Sequence, residues 1–312
     1  MTSGQLRDPC CLEFLIANQN SDGGWGYHPA SPSAVEATAW ALAALTSTRR
    51  APPEVCARAR DWLLPAQRTD GSWPPFPGQP QGCWVTSVAC QALHLHGGEQ
   101  NAVDHGLHWL LNAWPAEGTL WWRLRQTLSP SRVARQDSSL RGWSWTPGTA
   151  SWVEPTAHAL LFLRSLPPPM FSPQAEKRRQ LAERMLFDRM CPGGGWNSGN
   201  PLIYGVPGVP RIGPTAWALL ALRNHSERAE IQMSLGWLES VYGAINGATS
   251  LALAHRCLAA YGRCVSPLAS AIGELYSHNR FFENVLTHAW VALALNEDAM
   301  GSAQTAGEAA TR

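Results

Sequence analysis

Six stretches of the chain are apolar nearly all the way round a helix. They read VEATAWALAAL (35–45), VTSVACQALHL (85–95), VEPTAHALLFL (153–163), IGPTAWALLAL (212–222), NGATSLALAHRCL (246–258) and VLTHAWVALAL (285–295). Ala, Leu and Trp at this density favour helix. Thr or Pro near the start suits a first turn. Apolar residues on every side imply burial on both faces. Each copy follows a more polar, amphipathic stretch, at 8–19, 52–67, 99–114, 173–190, 226–242 and 266–278. Those helices have one face for water. The unit is helix, turn, helix, written six times. Six buried helices inside six half-exposed ones predict an all-α chain folded as a single (α/α)6 toroid of six helical hairpins.

The turns repeat as well. QNSDGGWGY (19–27) returns as QRTDGSWPPF (67–76). Gly can end the outer helix in the left-handed conformation. The Trp can then cover the helix end, and Gln can bond backbone groups that the end leaves unpaired. Gln19, Trp25, Gln67 and Trp73 are therefore expected to be structural. An irregular piece at 115–150 interrupts the pattern and carries Trp121, Trp122, Trp143, Trp145 and five Arg. A loop this long in a compact domain is usually functional or disordered. So many Trp argue against disorder. Its second half reads as the third repeat's turn, and its first half as a lid over one mouth of the toroid. The expected organisation is one toroid over 1–298 and a flexible tail over 299–312, whose residues are small and polar.

Composition adds limits. The 312 residues are 45% hydrophobic and 15% charged, with net charge +1. That balance offers no electrostatic footprint for nucleic acid. Sixteen Trp are an unusual supply beside five Tyr and seven Phe. None of the eight Cys forms C-x-x-C, and settings such as SVACQAL read as helix core, so reduced thiols in a cytoplasmic protein are expected. No charged-then-apolar leader opens the sequence, and no apolar run approaches the ~20 residues of a membrane span.

RARDWLLPAQRTDGSW (58–73) resembles the QW motif of squalene–hopene and oxidosqualene cyclases: basic, small, two residues, aromatic, aliphatic, then Gln and Gly-x-Trp. LEFLIANQNSDGGW (12–25) matches its second half, and DRMCPGGGW (188–196) keeps the Gly-x-Trp end. The chain looks like a divergent single toroid of that superfamily, which also holds the β subunits of protein prenyltransferases. The resemblance implies an isoprenoid substrate, peripheral membrane contact, and a second domain or partner chain, because these cyclases normally have two such domains. Their acid motif, D-x-D-D-T-A, has no counterpart, since no D-x-D occurs. WVEPTA (152–157) gives the best register and puts Glu154 where the protonating Asp stands. The prenyltransferase zinc pair would fall on Asn246 and Ala248, which cannot serve, so neither metal nor cofactor is expected.

Helical spacing sorts the inner helices into two stripes. Val35, Thr38, Leu42 and Leu45 form one, with Val153, Thr156, Leu160 and Leu163 matching it; this stripe is expected against the outer helices. The other holds Glu36, Trp40, Thr86, Cys90, Glu154, His158 and Trp217 and is expected to face the lumen. Glu154 and His158 stand at i and i+4, so they can meet as a proton-holding pair, the catalytic candidates. Glu36, Trp40, Thr86, Cys90 and Trp217 are the substrate-binding candidates. For both Glu the alternative is a first-turn carboxylate serving the helix dipole. His288 reads as a core histidine, and Asp137 and the Arg of 115–150 as solvated loop residues.

Three functions follow. The first is a terpene-cyclase-like isomerase, an intramolecular transferase, acting on an isoprenoid in an apolar, Trp-lined central cavity with Glu154 as acid. Aromatic faces stabilise cations and a dry site protects them. The second is a lipid- or peptide-binding toroid without chemistry. The third is a carbohydrate-active (α/α)6 enzyme with Glu36 and Glu154 as its two carboxylates. A complement-type thioester domain is excluded, because no Cys has Gln three residues away.

Overall fold

The computed structural model describes residues 9–119, 124 and 136–296. Among them are twelve α-helices. The outer helices are α1 (Pro9–Ala17), α3 (Pro53–Leu63), α5 (Gln100–Asn112), α7 (Pro173–Asp188), α9 (Ala229–Val241) and α11 (Ser266–Asn279). The inner helices are α2 (Val35–Thr48), α4 (Val85–His96), α6 (Val153–Ser165), α8 (Ile212–Ala221), α10 (Ala248–Ala260) and α12 (Val285–Leu295). A two-stranded hairpin, Leu202–Ile203 against Val206–Pro207, interrupts the approach to α8. Among the described residues no helix is long and apolar enough to cross a membrane.

The amphipathic pattern decides which helix goes where. On α5, Val103, Gly106, Leu107, Leu110 and Leu111 are buried while Asp104, His105 and His108 are exposed. That is a one-sided stripe at helical spacing. On α2, every residue from Ala37 to Leu45 is buried. Each inner helix packs on the next, α2 on α4, α4 on α6, α6 on α8, α8 on α10 and α10 on α12. Helix α12 returns to α2, so the ring closes. Small residues on the inner helices let these helices approach closely, as Ala37, Ala39, Ala41, Ala43 and Ala44 do on α2.

The turns stitch the ring through one repeated device. Trp25, Trp73, Trp143 and Trp196 each donate the indole N–H to a carbonyl near the end of an outer helix: Leu15, Leu63, Leu110 and Leu186, at 2.6–2.9 Å. Each backbone N–H of these Trp donates to a Thr hydroxyl on the following inner helix: Thr38, Thr86, Thr156 and Thr215. Two residues after the Trp, a carbonyl accepts from the start of the preceding inner helix. Val35 N–H donates to Pro75, Trp84 to Trp145, Val153 to Ser198 and, closing the ring, Val285 to Tyr27. Gln19 binds Gly23 in its own turn and Val55 on the next outer helix; Gln67 does the same with Gly71 and Ala102. Gly23 and Gly71 have φ near +90°, and a Cβ there would meet a neighbouring helix carbonyl at 2.7 and 2.4 Å. Gly is therefore required at both.

All inner helices run the same way, so their N-termini gather on the face that carries these turns. The lid expected from the first half of 115–150 falls largely on 120–135, which apart from Leu124 lies outside the described residues. The tail from 297 onward does too.

Candidate functional site at the mouth of the ring

The stitching hydrogen bonds set the register of each inner helix. Two residues after the bonded Thr come Trp40, Val88, His158 and Trp217. The rings of Trp40, His158 and Trp217 meet in the lumen with that of Trp290 on α12, both across the ring and between neighbouring helices. Trp40 on α2 lies 5.5 Å from Trp217 on α8, the opposite side of the ring. His158 on α6 lies 4.3 Å from Trp217 and 5.7 Å from Trp40. Trp290 on α12 lies 5.8 Å from Trp40 and 5.5 Å from Trp217. Trp40, His158 and Trp217 are 3–5% exposed. At this level the lumen is filled by aromatic side chains. The apolar, Trp-lined central cavity expected from the sequence is filled at this level, because four large rings project inward at one height and pack on each other.

One turn nearer the N-termini is a second layer, two residues before each bonded Thr: Glu36, Trp84, Glu154 and Gly213. Trp84 packs edge-on against Trp145 at 4.9 Å and lies 5.2 Å from His158, joining the two layers. The Tyr27 hydroxyl donates to Glu36 Oε2 at 2.9 Å. Gly213 lies beside the Glu154 carboxylate: a Cβ on it would make an ordinary contact with Glu154 Oε1, at 3.6 Å. Burial raises the pKa of Glu36 above the ordinary carboxylate range, against the Tyr27 hydrogen bond. Burial also raises Glu154, opposed by the Arg211 charge and reinforced by Glu36. The two carboxylates thus stand close enough to feel each other. The inner-helix N-termini around them favour the ionised forms and so oppose the effect of burial.

Three expectations change. Thr86 is fully buried and bonded to the Trp73 backbone, so it faces the outer helix and does not line the lumen. Cys90, one turn on, faces α5; a Cβ on Gly106 would come within 2.2 Å of its sulfur. Burial pushes its thiol pKa up. Glu154 and His158 do not form a pair. His158 Nδ1 has no partner, and burial takes its pKa down to about 3, so the ring is neutral at pH 7. Glu154 instead points toward the start of α8. His288 stacks on Phe14 at 3.7 Å, with Nδ1 2.9 Å from the Asn284 carbonyl, in the core between α1 and α12.

Residues that sequence reasoning missed include Trp84, Trp290 and His255. Trp290 follows Val285 by the spacing that separates Trp40 from Val35, a signal legible in the sequence. His255 on α10 is buried, with its pKa taken down to about 4 by desolvation. Another missed feature is Arg178, 1% exposed, whose guanidinium lies 4.0 Å over Trp114 and 4.2 Å over Trp143. It donates to the carbonyls of Ala113 and Gly142, and so ties α7 to the third turn. Among the described residues no cluster of three His, Cys, Asp or Glu can hold a metal. Around the mouth, Tyr204, Val206 and Val209 on the segment before α8 and Phe282 before α12 are 66–78% exposed.

No protein-family model and no curated protein matches the chain. Solved structures do match its shape over nearly its whole length. The type II terpene cyclase MstE from Scytonema, in complex with geranylgeranyl dihydroxybenzoate, superposes with TM-score 0.62 at 15% identity, covering 94% of this chain and 96% of that one. A novel alpha-amylase from Clostridium perfringens gives 0.62 at 11% identity, covering 95% and 99%. A protein from Actinoplanes gives 0.60 at 17% identity, covering 94% and 99%. Likeness at such identity concerns architecture alone. The fold of this chain is that of the terpenoid-cyclase-like (α/α)6 toroids, a scaffold that the amylase also uses.

Proposed function

We propose that this toroid takes an isoprenoid at its N-terminal mouth, with Glu154 as the proton donor. One observation supports the reading: two desolvated carboxylates with raised pKa, Glu36 and Glu154, stand over a floor of Trp rings at the N-terminal face of a closed helical ring. A cyclase with the same fold binds a geranylgeranyl compound, which points to the substrate class. Exposed Tyr204, Val206, Val209 and Phe282 on that face suit contact with a lipid surface, where such a compound would reside.

The chemistry follows from the residues. A protonated Glu154 gives its proton to the less substituted carbon of a trisubstituted alkene. Its O–H bond breaks, a C–H bond forms, and a tertiary cation remains beside a carboxylate. The Trp84 and Trp217 faces attract the cation. An internal alkene closes a ring onto it, and the last cation loses a proton to water at the mouth. His158, neutral at pH 7, contributes a wall and no proton. A single Glu is a weaker acid than an Asp cluster, so an activated alkene, or completion of the site by a partner domain, suits it best.

Turnover should fall as pH rises through the raised pKa of Glu154, since only the protonated form acts. The test is incubation with geranylgeranyl-bearing compounds, following products of unchanged mass and fewer alkene protons. Glu154→Gln should lose about 10²–10⁴-fold in rate with little change in affinity or melting temperature. Glu36→Gln should do much less. Equal turnover by parent and Glu154→Gln would remove Glu154 from the chemistry. The filled lumen favours one further reading, a toroid that binds such a lipid at its mouth without converting it. Tight binding with no product would establish that. Hydrolysis of α-glucans would instead make Glu36 and Glu154 a glycosidase pair.

A further inference from the structure

Two kinds of Trp occupy this fold. The turn Trp at 25, 73, 143 and 196 each place the indole N–H on a carbonyl at 2.6–2.9 Å. In the lumen the opposite holds. Trp40 Nε1 and Trp290 Nε1 are buried without any partner, and so are His158 Nδ1 and, on α10, His255 Nδ1. Buried donors in native proteins are nearly always satisfied, and a group left over needs a reason. The three orphans on Trp40, Trp290 and His158 belong to rings in one contact cluster with Trp217, at 4.3–5.8 Å. These three lie together in the plug beneath the mouth carboxylates, whereas the other unpaired buried atoms are dispersed, mostly on Arg, Gln, Thr and Glu side chains elsewhere in the fold.

An indole N–H can only donate. Two of them in one apolar plug call for an acceptor. The Trp40 and Trp290 rings sit nearly perpendicular, at 88°. Among the described residues no cation stands in the plug to balance an anion, and His158 is neutral. A neutral oxygen, hydroxyl or carbonyl, is the acceptor that fits. A carboxylate or diphosphate would be buried without a counter-charge.

We propose that the lumen plug receives the neutral oxygen function of an oxygenated isoprenoid, an alcohol, ketone or quinone, through the indole N–H groups of Trp40 and Trp290. The hydrocarbon chain then lies across the mouth, near Glu154. This rests on the isoprenoid reading above and narrows it from isoprenoids in general to those with an oxygen at one end. The plug rings turn outward by the small amount that one oxygen atom needs, and the orphan donors become satisfied.

The test compares geranylgeraniol with the same chain carrying hydrogen in place of the hydroxyl. Binding is followed by tryptophan fluorescence in the parent and in Trp40→Phe, Trp290→Phe and the double variant. Phe keeps an aromatic ring and removes the N–H. The parent should prefer the alcohol by about tenfold. The double variant should bind both compounds within about threefold of each other, whatever its affinity for the hydrocarbon. Equal parent affinity for the two compounds overturns this inference and leaves the isoprenoid reading standing. An alcohol preference that survives in the double variant overturns it as well. Failure of either compound to bind the parent overturns both. Should a variant melt below the assay temperature, the parent's preference and the remaining single variant decide.

Discussion

Neutralising nothing and removing one proton acceptor should make the molecule less sensitive to acid. His158 is buried against Trp40, Trp84 and Trp217, and its Nδ1 has no partner that would reward a charge. Burial takes its pKa down to about 3, whereas an unfolded His titrates near 6.5. Between those values the unfolded chain binds a proton that the folded chain refuses. The stability held by the neutral ring is therefore fully present above about pH 6.5 and is lost as pH falls toward 3. From pH 7.0 to 4.5 the loss is about two pH units of uncompensated uptake, or on the order of 2–3 kcal/mol. Glu36 and Glu154 act in the other direction. Their raised values mean the folded state takes protons first, so acid stabilises it through them. His158→Phe keeps a flat ring and leaves both carboxylates and His255 in place, so their effects cancel in the comparison. Urea unfolding of parent and variant at pH 7.0 and 4.5 measures the difference. The variant should lose about 2–3 kcal/mol less than the parent over that interval. Parallel pH profiles would mean that His158 is protonated or solvated in the folded protein, and that the packed lumen is wrong.

Other expectations concern the scaffold. Trp73→Ala removes a fully buried ring and its bond to Leu63, and should cost about 3–5 kcal/mol in chemical denaturation. A parent-like melt with lost ligand binding would contradict the structural role. Thr86→Val leaves the Trp73 backbone N–H unpaired and should cost about 1–3 kcal/mol while binding is unchanged at a temperature where the variant is folded. Gly106→Ala drives a methyl to 2.2 Å from Cys90 Sγ and 2.9 Å from the Trp73 ring. It should lower the melting temperature despite the helix gain of about 1 kcal/mol that Ala brings, and Cys90→Ala should restore part of the loss.

Much of this molecule is local and was therefore legible. Helix-period stripes, the inner and outer character of each helix, and the Gln–turn–Trp unit all depend on residues near each other in the chain. The register error at Thr86 and Cys90 had a local remedy. Aligning VTSVACQAL on its first Val shifts α4 by two residues, whereas the thirteen-residue step from turn Trp to helix Thr, 25 to 38, 73 to 86 and 143 to 156, gives the true register. What needed the tertiary structure is everything that crosses the ring. Periodicity shows that Trp40, His158, Trp217 and Trp290 share a face, but a cavity and a plug have the same periodicity. Only ring diameter, set by how closely the Ala-rich inner helices pack, decides that four rings at one height touch and fill the lumen. The same holds for charge. An i, i+4 spacing brings Glu154 and His158 onto one helix face, yet the carboxylate lies beside Gly213 at the start of α8, near the Arg211 charge, while burial leaves the imidazole neutral among indoles. Sequence spacing sets which side chains can meet along one helix; desolvation and the neighbours across the ring decide which of them do.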